Sequence, residues 1–230
     1  MNKPQLFKAK LLNKEKVSNT VWEYTFSADD LAFVPGQYLT IVIGPRERRQ
    51  YSFSSQNLSN QNFQIIFDTR PNGVGTKYLL DLNIGDVIQG IGGIGNFILP
   101  KELAKNLVFI GTGTGVAPLK SMIEDLISNK KHLAHNIFLY FGTRNSEGII
   151  YEDLFNSWCN KKFLKDFKIG LSRDTNNNYH QGYVNQFINE FDLSKSQFFL
   201  CGSGEMIKSV EEDLISKGAK QEQIFYEKFY

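Results

Sequence analysis

Two short segments of this sequence carry residue types that together can hold a phosphorylated aromatic ligand. The first is Arg49-Gln50-Tyr51-Ser52, which offers a cation, an aromatic ring and a hydroxyl within four residues. A guanidinium binds a phosphate in bidentate fashion, and a tyrosine ring stacks on a flat heterocycle. Residues two apart share one face of a strand, so we expect Arg49 and Tyr51 to point together, with Ser52 opposite or at a bend. An ordinary amphipathic strand, with its Arg in solvent and its Tyr at the core, explains the same tetrapeptide.

The second segment is a glycine-rich turn between an apolar strand pattern and a helix pattern. It runs to Pro118, and its first five residues are Gly111, Thr112, Gly113, Thr114 and Gly115. Backbone N–H groups in such a turn can approach a pyrophosphate closely. The turn lacks the Lys-Ser/Thr ending of an NTPase loop, and its spacing differs from the usual Rossmann fingerprint. The residues alone therefore fit either a dinucleotide cradle or a tight turn without a ligand.

Basic residues also follow two of the later strand patterns. Arg144 lies at the carboxyl end of one strand pattern, three residues after its apolar run, and Ser172 and Arg173 come directly after the next run. In open α/β sheets, ligands bind outside the carboxyl ends of the strands, so both arginines are candidate anchors. Arg173 has an alternative, since it can pair with Asp174 or Glu190 on the surface.

Composition and charge limit the classes of function. The chain has 230 residues, 41% of them hydrophobic and 22% charged, as expected for one large or two small globular domains. Its 26 basic and 24 acidic side chains leave a net charge of +2, which gives no reason to expect a nucleic-acid partner. Cys159 and Cys201 are the only cysteines and form no CxxC pair, so zinc ribbons and iron–sulfur clusters lack their thiolates.

The sequence gives no sign of a membrane or metal-binding role. No apolar run approaches the roughly 20 residues of a membrane span, and the first residues lack the apolar core of a signal peptide. We therefore expect a cytoplasmic protein without a membrane span. His132 and His135 lie in a polar segment with no third ligand nearby, so we expect them on the surface and predict no metal site.

The first hundred residues show the period of two that is typical of half-buried strands. Trp22, Tyr24 and Phe26, for example, alternate with Glu23 and Thr25. Gly, Pro and Asn fall between the runs at short intervals, so we predict a closed antiparallel β-barrel. Further candidate strands span residues 37–43, 63–67 and 86–91, and a helical stretch spans residues 76–82.

After Pro100 the pattern changes to continuous apolar runs separated by helix-length segments. This alternation predicts a five-stranded parallel sheet covered by helices on both faces. We place the domain boundary near Pro100, with the barrel domain over residues 1–100 and the α/β domain over residues 101–230. The predicted strands are residues 107–110, 137–141, 167–171, 198–201 and 224–227, and the predicted helices are residues 116–128, 152–158, 183–190 and 205–217.

Several motifs, in this order along the chain, resemble those of the ferredoxin–NADP⁺ reductase family. They are Pro35-Gly36-Gln37-Tyr38, Arg49-x-Tyr51-Ser52, Gly73-Val74-Gly75-Thr76, Gly111–Pro118, Cys201-Gly202-Ser203-Gly204-Glu205-Met206 and Glu227-Lys228-Phe229-Tyr230. The resemblance covers essentially the whole chain, and the ordered set is far more specific than any one motif. One departure is Gly93, which stands where the corresponding family loop, here Gly90–Phe97, usually has a proline.

The resemblance implies a barrel domain that binds FAD and an α/β domain that binds NADP(H). Hydride would pass between the nicotinamide and the flavin in the cleft between them. It further implies that Tyr51 stacks against the flavin ring and that Ser52 forms a hydrogen bond near its reactive nitrogen. The Gly111–Gly115 turn would hold the pyridine nucleotide. The other flavin-binding residues implied are Arg49, Gln50, Gly73, Val74, Gly75 and Thr76, with Arg49, Gly73 and Thr76 anchoring the diphosphate.

The same resemblance implies a set of residues around the reacting rings. Cys201, with Gly202, would pack beside the nicotinamide and aim it at the flavin without acting as a nucleophile. Glu227 matches the family's acidic residue near the flavin. A terminal aromatic ring would cover the flavin face, and spacing favours Phe229 while the family's familiar terminal tyrosine favours Tyr230. The candidate catalytic residues are Ser52, Cys201, Glu227, Phe229 and Tyr230.

Nucleotide preference follows from the basic residues at the strand ends. In NADP-dependent members, a Ser and an Arg at the position of Ser172 and Arg173 hold the 2′-phosphate, and Arg144 resembles a second anchor. A basic residue here favours NADPH, because an NADH enzyme more often places an acidic group against the 2′-hydroxyl. Members that prefer NADH can also carry Ser-Arg.

The resemblance implies an electron carrier as partner, with ferredoxin or flavodoxin as the expected one. Acidic carriers dock on basic patches, and Arg46, Arg48 and Lys77 could form such a patch near the flavin. Alternatives are a reductase component of an oxygenase, a free-flavin reductase using NAD(P)H, and a non-catalytic nucleotide-sensing subunit.

Overall fold

The computed structural model describes residues 3–57, 61–175, 178–189 and 191–229. Over these residues the chain forms two six-stranded sheets, the first antiparallel and the second parallel. The predicted two-part architecture is therefore confirmed. Tyr230 and Glu190, which the sequence singled out, lie outside the described residues.

The antiparallel sheet occupies the N-terminal part of the chain and curls on itself. Its strand order is β4-β3-β6-β1-β2-β5, and a bridge between Phe53 and Ile65 joins the two edges. The predicted barrel is thus observed as a curled sheet whose edges meet at this bridge. The strands are β1 Gln5–Lys16, β2 Val21–Ser27, β3 Tyr38–Val42, β4 Arg48–Ser52, β5 Asn62–Asp68 and β6 Val87–Ile94, and helix α1 Val74–Asp81 lies between β5 and β6.

Both faces of part of this sheet are covered. Tyr24 and Phe26 point into the barrel core and are completely buried, as the alternation predicts. On the opposite face, Glu23 and Ile66 are also buried, at 8% and 4% exposure. Ile66 packs in one cluster with residues of the C-terminal part, and so the solvent face predicted for β2 and β5 is an interface between the two parts.

The parallel sheet has the strand order β10-β9-β8-β7-β11-β12. Its strands are β7 Asn106–Thr112, β8 Asn136–Thr143, β9 Asp166–Leu171, β10 His180–Gln181, β11 Ser196–Ser203 and β12 Ile224–Phe229, and its helices are α2 Val116–Ser128, α3 Glu152–Asn160 and α4 Gly204–Ser216. All five predicted strands are present, and α2 spans the predicted range. Strand β6 ends before Pro100 and strand β7 begins after it, and Pro100 is where we predict the domain boundary.

Two features of this half differ from the prediction. The sheet has six strands rather than five, because the two-residue edge strand β10 lies in a polar loop and leaves no apolar run in the sequence. The segment predicted as a helix over 183–190 forms a 3₁₀ helix at Val184–Ile188. Val184, Phe187 and Ile188 are buried, which explains the helical spacing, but such a short segment favours the tighter helix.

Candidate active site

A hydrogen bond between the two parts of the chain marks the centre of the candidate site. The Ser52 hydroxyl, at the end of β4, donates to Glu227 Oε2 on β12 at 3.2 Å, across 175 residues of sequence. Ser52 is buried, and Glu227 pairs with Cys201 in the parallel register of β11 and β12. Three of the predicted catalytic residues therefore meet where the curled sheet and the parallel sheet come together.

The Glu227 carboxyl is electrostatically unusual. Burial raises its pKa from the ordinary 4.5 to about 7, and the hydrogen bond from Ser52 opposes this shift only in part. Near neutral pH the carboxyl consequently exists in both protonation states. It can therefore hold or release a proton at its carboxyl oxygens under physiological conditions.

The Cys201 thiol is fully buried and stays protonated. Burial raises its pKa well above the usual range, and the neighbouring Glu227 charge adds to the shift. A neutral thiol is a poor nucleophile, so this environment suits a packing role. The next residue, Gly202, has φ of 145°, and a Cβ there would lie 2.1 Å from Thr112 Oγ1. The end of β11 thus lies directly against the glycine-rich turn.

The glycine-rich turn leads from β7 into α2 through a single 3₁₀ turn, Gly113–Gly115. A Cβ at Gly115 would stand 2.4 Å from the Cys201 carbonyl oxygen, so only glycine allows this approach. Gly113 has φ of 55° and no neighbour within 4 Å of a built Cβ, which leaves its surroundings open. Among the described residues, no side chain caps the start of α2 and no acidic residue lies in its first turn. A helix start without an acidic residue or a side-chain cap suits an anion.

A second uncapped helix start lies beside Arg49-Gln50-Tyr51-Ser52, which we call the barrel motif. A Cβ at Gly75, in the first turn of α1, would meet Tyr51 Oη at 2.6 Å and Arg49 Cγ at 2.7 Å. Arg49 and Tyr51 therefore share one face of β4, as predicted. Within the described residues, Gly73 at the N-cap gives α1 no side-chain cap and its first turn has no acidic residue. The stem of the Arg49 side chain therefore lies beside the start of α1, while its guanidinium pairs with Glu47 at 2.9 Å and donates to the Arg48 carbonyl at 2.7 Å.

The other residues predicted to bind the flavin differ from one another in burial and contacts. The Thr76 hydroxyl is buried and contacts the Asp68 carbonyl oxygen at 3.4 Å, so it is engaged within the protein. Val74 and Gln50 are exposed. Burial raises the pKa of Tyr51 to about 12, which keeps its phenol neutral.

The basic residues at the strand ends are brought together. The Ser172 N–H donates to the Thr143 carbonyl at 3.0 Å, and the Arg173 N–H donates to the Arg144 carbonyl at 2.8 Å. Both arginines are exposed at the carboxyl edge of the sheet. Asp174 accepts hydrogen bonds from the backbone and hydroxyl of Ser146.

Phe229 is the last residue of the predicted acidic–aromatic motif that the structure describes. Phe229 pairs with Ser203 in the β11–β12 register and packs half-buried against the cluster that contains Cys201. Because Tyr230 lies outside the described residues, the choice between the two rings stays a prediction.

The Gly90–Phe97 loop, which the sequence comparison singled out at Gly93, also reaches the Glu227 carboxyl, a contact that no sequence signal indicates. Gly95 lies under the Tyr38 ring, and a Cβ there would stand 3.6 Å from Glu227 Oε1. Gln37 holds this loop by donating to the Gly95 carbonyl at 3.1 Å. Gly93, where the family pattern has a proline, has φ of 71°, a conformation closed to proline. The backbone conformation at position 93 therefore explains why glycine stands there instead of proline.

The donor set fits a diphosphate-linked aromatic cofactor in each half of the site. The N-terminal half offers Arg49, the α1 start and the Tyr51 ring, and the C-terminal half offers the α2 start and two arginines. The described residues contain no group of three or more metal-ligating side chains. None of the helices in the described part of the chain has the length and apolar character needed to cross a bilayer.

Comparison with known proteins agrees with this division. The family model of the oxidoreductase FAD-binding domain matches residues 8–98, and that of the oxidoreductase NAD-binding domain matches residues 109–212. The chain is 28% identical over 221 residues to ferredoxin–NADP reductase B of Sorangium cellulosum, with 90% of each chain covered. It is 26% identical over 207 residues to the toluate 1,2-dioxygenase electron transfer component of Pseudomonas putida, covering 88% of this chain but 60% of that relative.

Solved structures share the fold. A ferredoxin–NADP⁺ reductase from Neisseria gonorrhoeae with bound FAD and NADP superposes with a TM-score of 0.85 at 19% identity, covering 98% of this chain and 99% of that one. The FAD/NAD-binding domain of a nitric oxide dioxygenase from Vibrio cholerae gives a TM-score of 0.87 at 18% identity, covering 97% and 98%.

Proposed function

The chain belongs to the ferredoxin–NADP⁺ reductase family, and we propose that it transfers a hydride between NADP(H) and bound FAD and exchanges single electrons with a small carrier. The observation that carries this proposal is the contact of Ser52 with Glu227 beside Cys201. It joins the end of the strand that carries the barrel motif to the sheet that carries the glycine-rich turn. Two ligands held by these elements would face each other there.

The protein's part in this reaction is binding and orientation. Arg49 and the N–H groups at the start of α1 bind the diphosphate of FAD, and Tyr51 supports its ring. The glycine-rich turn at the start of α2 would hold the diphosphate of the nucleotide, with Cys201 packed beside its nicotinamide. A bound flavin supplies the redox chemistry, by accepting a hydride from the nicotinamide and giving up electrons one at a time.

Ser52 and Glu227 hold and transfer protons where β4 meets β12. With a pKa of about 7, Glu227 can hold a proton at a carboxyl oxygen, and Ser52 Oγ lies 3.2 Å from that carboxyl. A Ser hydroxyl so placed can relay a proton between the carboxyl and a neighbouring acceptor.

We further propose a preference for NADPH. The backbone hydrogen bond between Arg173 and Arg144 places two exposed cations at one strand edge, and Ser172 lies beside them. Two guanidinium groups suit a 2′-phosphate.

Ferredoxin or flavodoxin is the proposed carrier, and the cytoplasm is the proposed compartment. Arg46, Arg48 and Lys77 are exposed beside β4 and α1, and an acidic carrier would be steered to this patch. Reversing these charges should slow carrier reduction while leaving ferricyanide reduction intact. Equal rates with the carrier would remove the patch from the proposal.

A second candidate is a reductase component of an oxygenase. Relatives include the toluate component and the reductase component of propane 2-monooxygenase of Rhodococcus jostii, which is 26% identical over 209 residues. This chain spans 60% and 55% of those two relatives, so their carriers and substrates do not transfer directly. Testing acceptors in parallel, free flavin among them, separates these candidates.

One experiment tests the common core of the proposal. The protein, reconstituted with FAD, is titrated without oxygen with NADPH and then with NADH while the visible spectrum is followed. We expect stoichiometric flavin binding and bleaching at lower NADPH than NADH concentrations. A protein that binds no flavin, or a flavin that stays oxidised as in a nucleotide-sensing subunit, would contradict the proposal.

A further inference from the structure

A lysine is buried between the two parts of the molecule. Lys120 lies on α2 at 4% exposure, and its ammonium donates to the Ser54 carbonyl at 2.8 Å. It pairs with Glu124 at 2.8 Å and lies 3.9 Å from Glu23 on β2. An ammonium out of water requires such partners, because its desolvation is costly.

Two further side chains close the surroundings of this lysine. The Tyr151 ring centre lies 5.2 Å from the ammonium, and the Tyr151 hydroxyl donates to Glu23. Gln64 donates to Glu23 Oε1 at 2.9 Å and accepts from Lys120 at 3.4 Å. We call Lys120 with Glu23, Gln64, Glu124 and Tyr151 the Lys120 cluster. It draws on β2, β5, α2 and the residue before α3.

Further contacts beside the cluster join the same two segments, residues 54–56 after β4 and the helix α2. The Ser121 hydroxyl donates to the Ser55 carbonyl at 2.6 Å, and both residues are fully buried. The Gln56 N–H donates to Glu124 at 3.0 Å, and its side chain reaches Ser128 at 2.7 Å. Three consecutive residues of the barrel segment are thus bound along α2.

The position of these contacts connects the cluster to the candidate active site. Ser54 follows Ser52 by two residues, and Lys120 lies about one helical turn after Val116, where α2 leaves the glycine-rich turn. These contacts therefore connect the segment after β4 to α2, close to the candidate active site but not in it.

Stability alone does not explain a charged residue at this place. The neighbours Leu119, Met122 and Ile123 are fully buried, so α2 already has an apolar anchor. A buried ion pair typically adds little over apolar packing, whereas hydrogen bonds of fixed direction define orientation.

We propose that Lys120 is a positioning residue that sets the nucleotide-binding turn relative to the flavin-binding strand through its bond to the Ser54 carbonyl. The proposal rests on the proposed function, because orientation matters only if two ligands react across the junction. Small displacements of reacting groups slow such reactions strongly.

The first test replaces Lys120 by methionine, which keeps the length of the side chain and removes its charge. Anaerobic single-turnover reduction of the FAD-loaded protein should slow on the order of tenfold to a hundredfold at saturating NADPH. The dissociation constant for NADPH and the FAD content should change little. The matched control is Lys208→Met, which removes the exposed lysine of another i, i+4 pair, Lys208–Glu212 at 3.8 Å.

The second test separates positioning from charge balance. Lys120→Met leaves both Glu124 and the more deeply buried Glu23 without their cation. The double variant Glu23→Gln/Lys120→Met neutralises the more buried of the two carboxyls, so it should recover part of the lost stability. It does not restore the bond to the Ser54 carbonyl, and so flavin reduction should stay slow. Recovery of the wild-type rate in the double variant, or an unchanged rate in Lys120→Met, would overturn the positioning role.

A third readout needs neither cofactor nor turnover. In the flavin-free chain, hydrogen exchange at Gln56 and along α2 should accelerate in the double variant but not in Lys208→Met. Unchanged exchange would overturn the proposal even if the enzyme is active. Failure of the wild-type protein to reduce flavin would instead overturn the proposed function and leave this structural result standing.

Discussion

The two parts of the molecule meet through polar groups in two places that differ in construction. At the candidate active site, one 3.2 Å hydrogen bond joins Ser52 to a Glu227 carboxyl that titrates near neutral pH. At the Lys120 cluster, several shorter bonds surround a buried ion pair. The first contact is suited to change when ligands enter or protons move. The second is suited to stay fixed while the first one changes.

The largest expected effect concerns the fixed contact. Lys120→Met leaves the buried Glu23 carboxylate and the partly buried Glu124 carboxylate without their cation, so unfolding free energy should fall by about 3–5 kcal/mol. Adding Glu23→Gln should return part of this loss, because Glu124 keeps its charge. Chemical denaturation measures both, with Lys208→Met expected within about 0.5 kcal/mol of wild type. Similar small losses for the two lysine variants would erase the distinction between the contacts.

The next effect concerns the close approach of the nucleotide turn to β11. Gly115→Ala places a methyl group 2.4 Å from the Cys201 carbonyl, and so the turn must shift. We expect a stability loss of about 1–3 kcal/mol and weaker NADPH binding. The control is Gly204→Ala, since a Cβ there has no neighbour within 4 Å. Equal nucleotide affinities in both variants would contradict the role of the turn.

The titrating contact has a pH signature of definite sign. Because the pKa of Glu227 is raised to about 7, the folded state binds its proton more tightly than the unfolded state. Unfolding free energy should therefore fall as the pH rises from about 4.5 to about 7, by on the order of 1–3 kcal/mol, and then level off.

Glu227→Gln should remove this component of the pH dependence from both stability and the rate of flavin reduction. Denaturation and single-turnover rates at matched pH values measure the difference between the two proteins. Identical pH profiles for the variant and the wild type would show that Glu227 does not titrate in this range.

The smallest effect concerns the preference for NADPH over NADH, which we assign to Arg173, a residue that belongs to neither contact. Arg173→Ala should raise KM for NADPH on the order of tenfold, by about 1.4 kcal/mol, and leave KM for NADH nearly unchanged. Steady-state diaphorase assays with both nucleotides measure it. An equal loss with both would contradict recognition of the 2′-phosphate by Arg173.

The difference between the two contacts also explains what the sequence can predict. The residues of the active-site contact lie in family motifs, and these motifs predict Ser52, Cys201 and Glu227. The strands and α2 follow from strong apolar periodicity. The residues of the Lys120 cluster carry no motif, because Glu23 in an alternating strand and Lys120 in an amphipathic helix read as solvent-facing charges.

The remaining differences have local causes. The strand β10 has two polar residues, and so no apolar run announces it. Ile66 breaks the alternation of β5 because that face is covered by the second half of the chain. Tyr151, which closes the Lys120 cluster, has φ of 59°, a conformation that no sequence signal at this position indicates.

The central claim is that the two parts of the chain hold a flavin and a nicotinamide within reach of direct hydride transfer. The most direct test is anaerobic single-turnover mixing of the FAD-loaded protein with NADPH, unlabelled or carrying deuterium at the transferred C4 position. We predict that flavin absorbance bleaches with both and more slowly with the deuterated nucleotide. A flavin that remains oxidised with either nucleotide would contradict the claim.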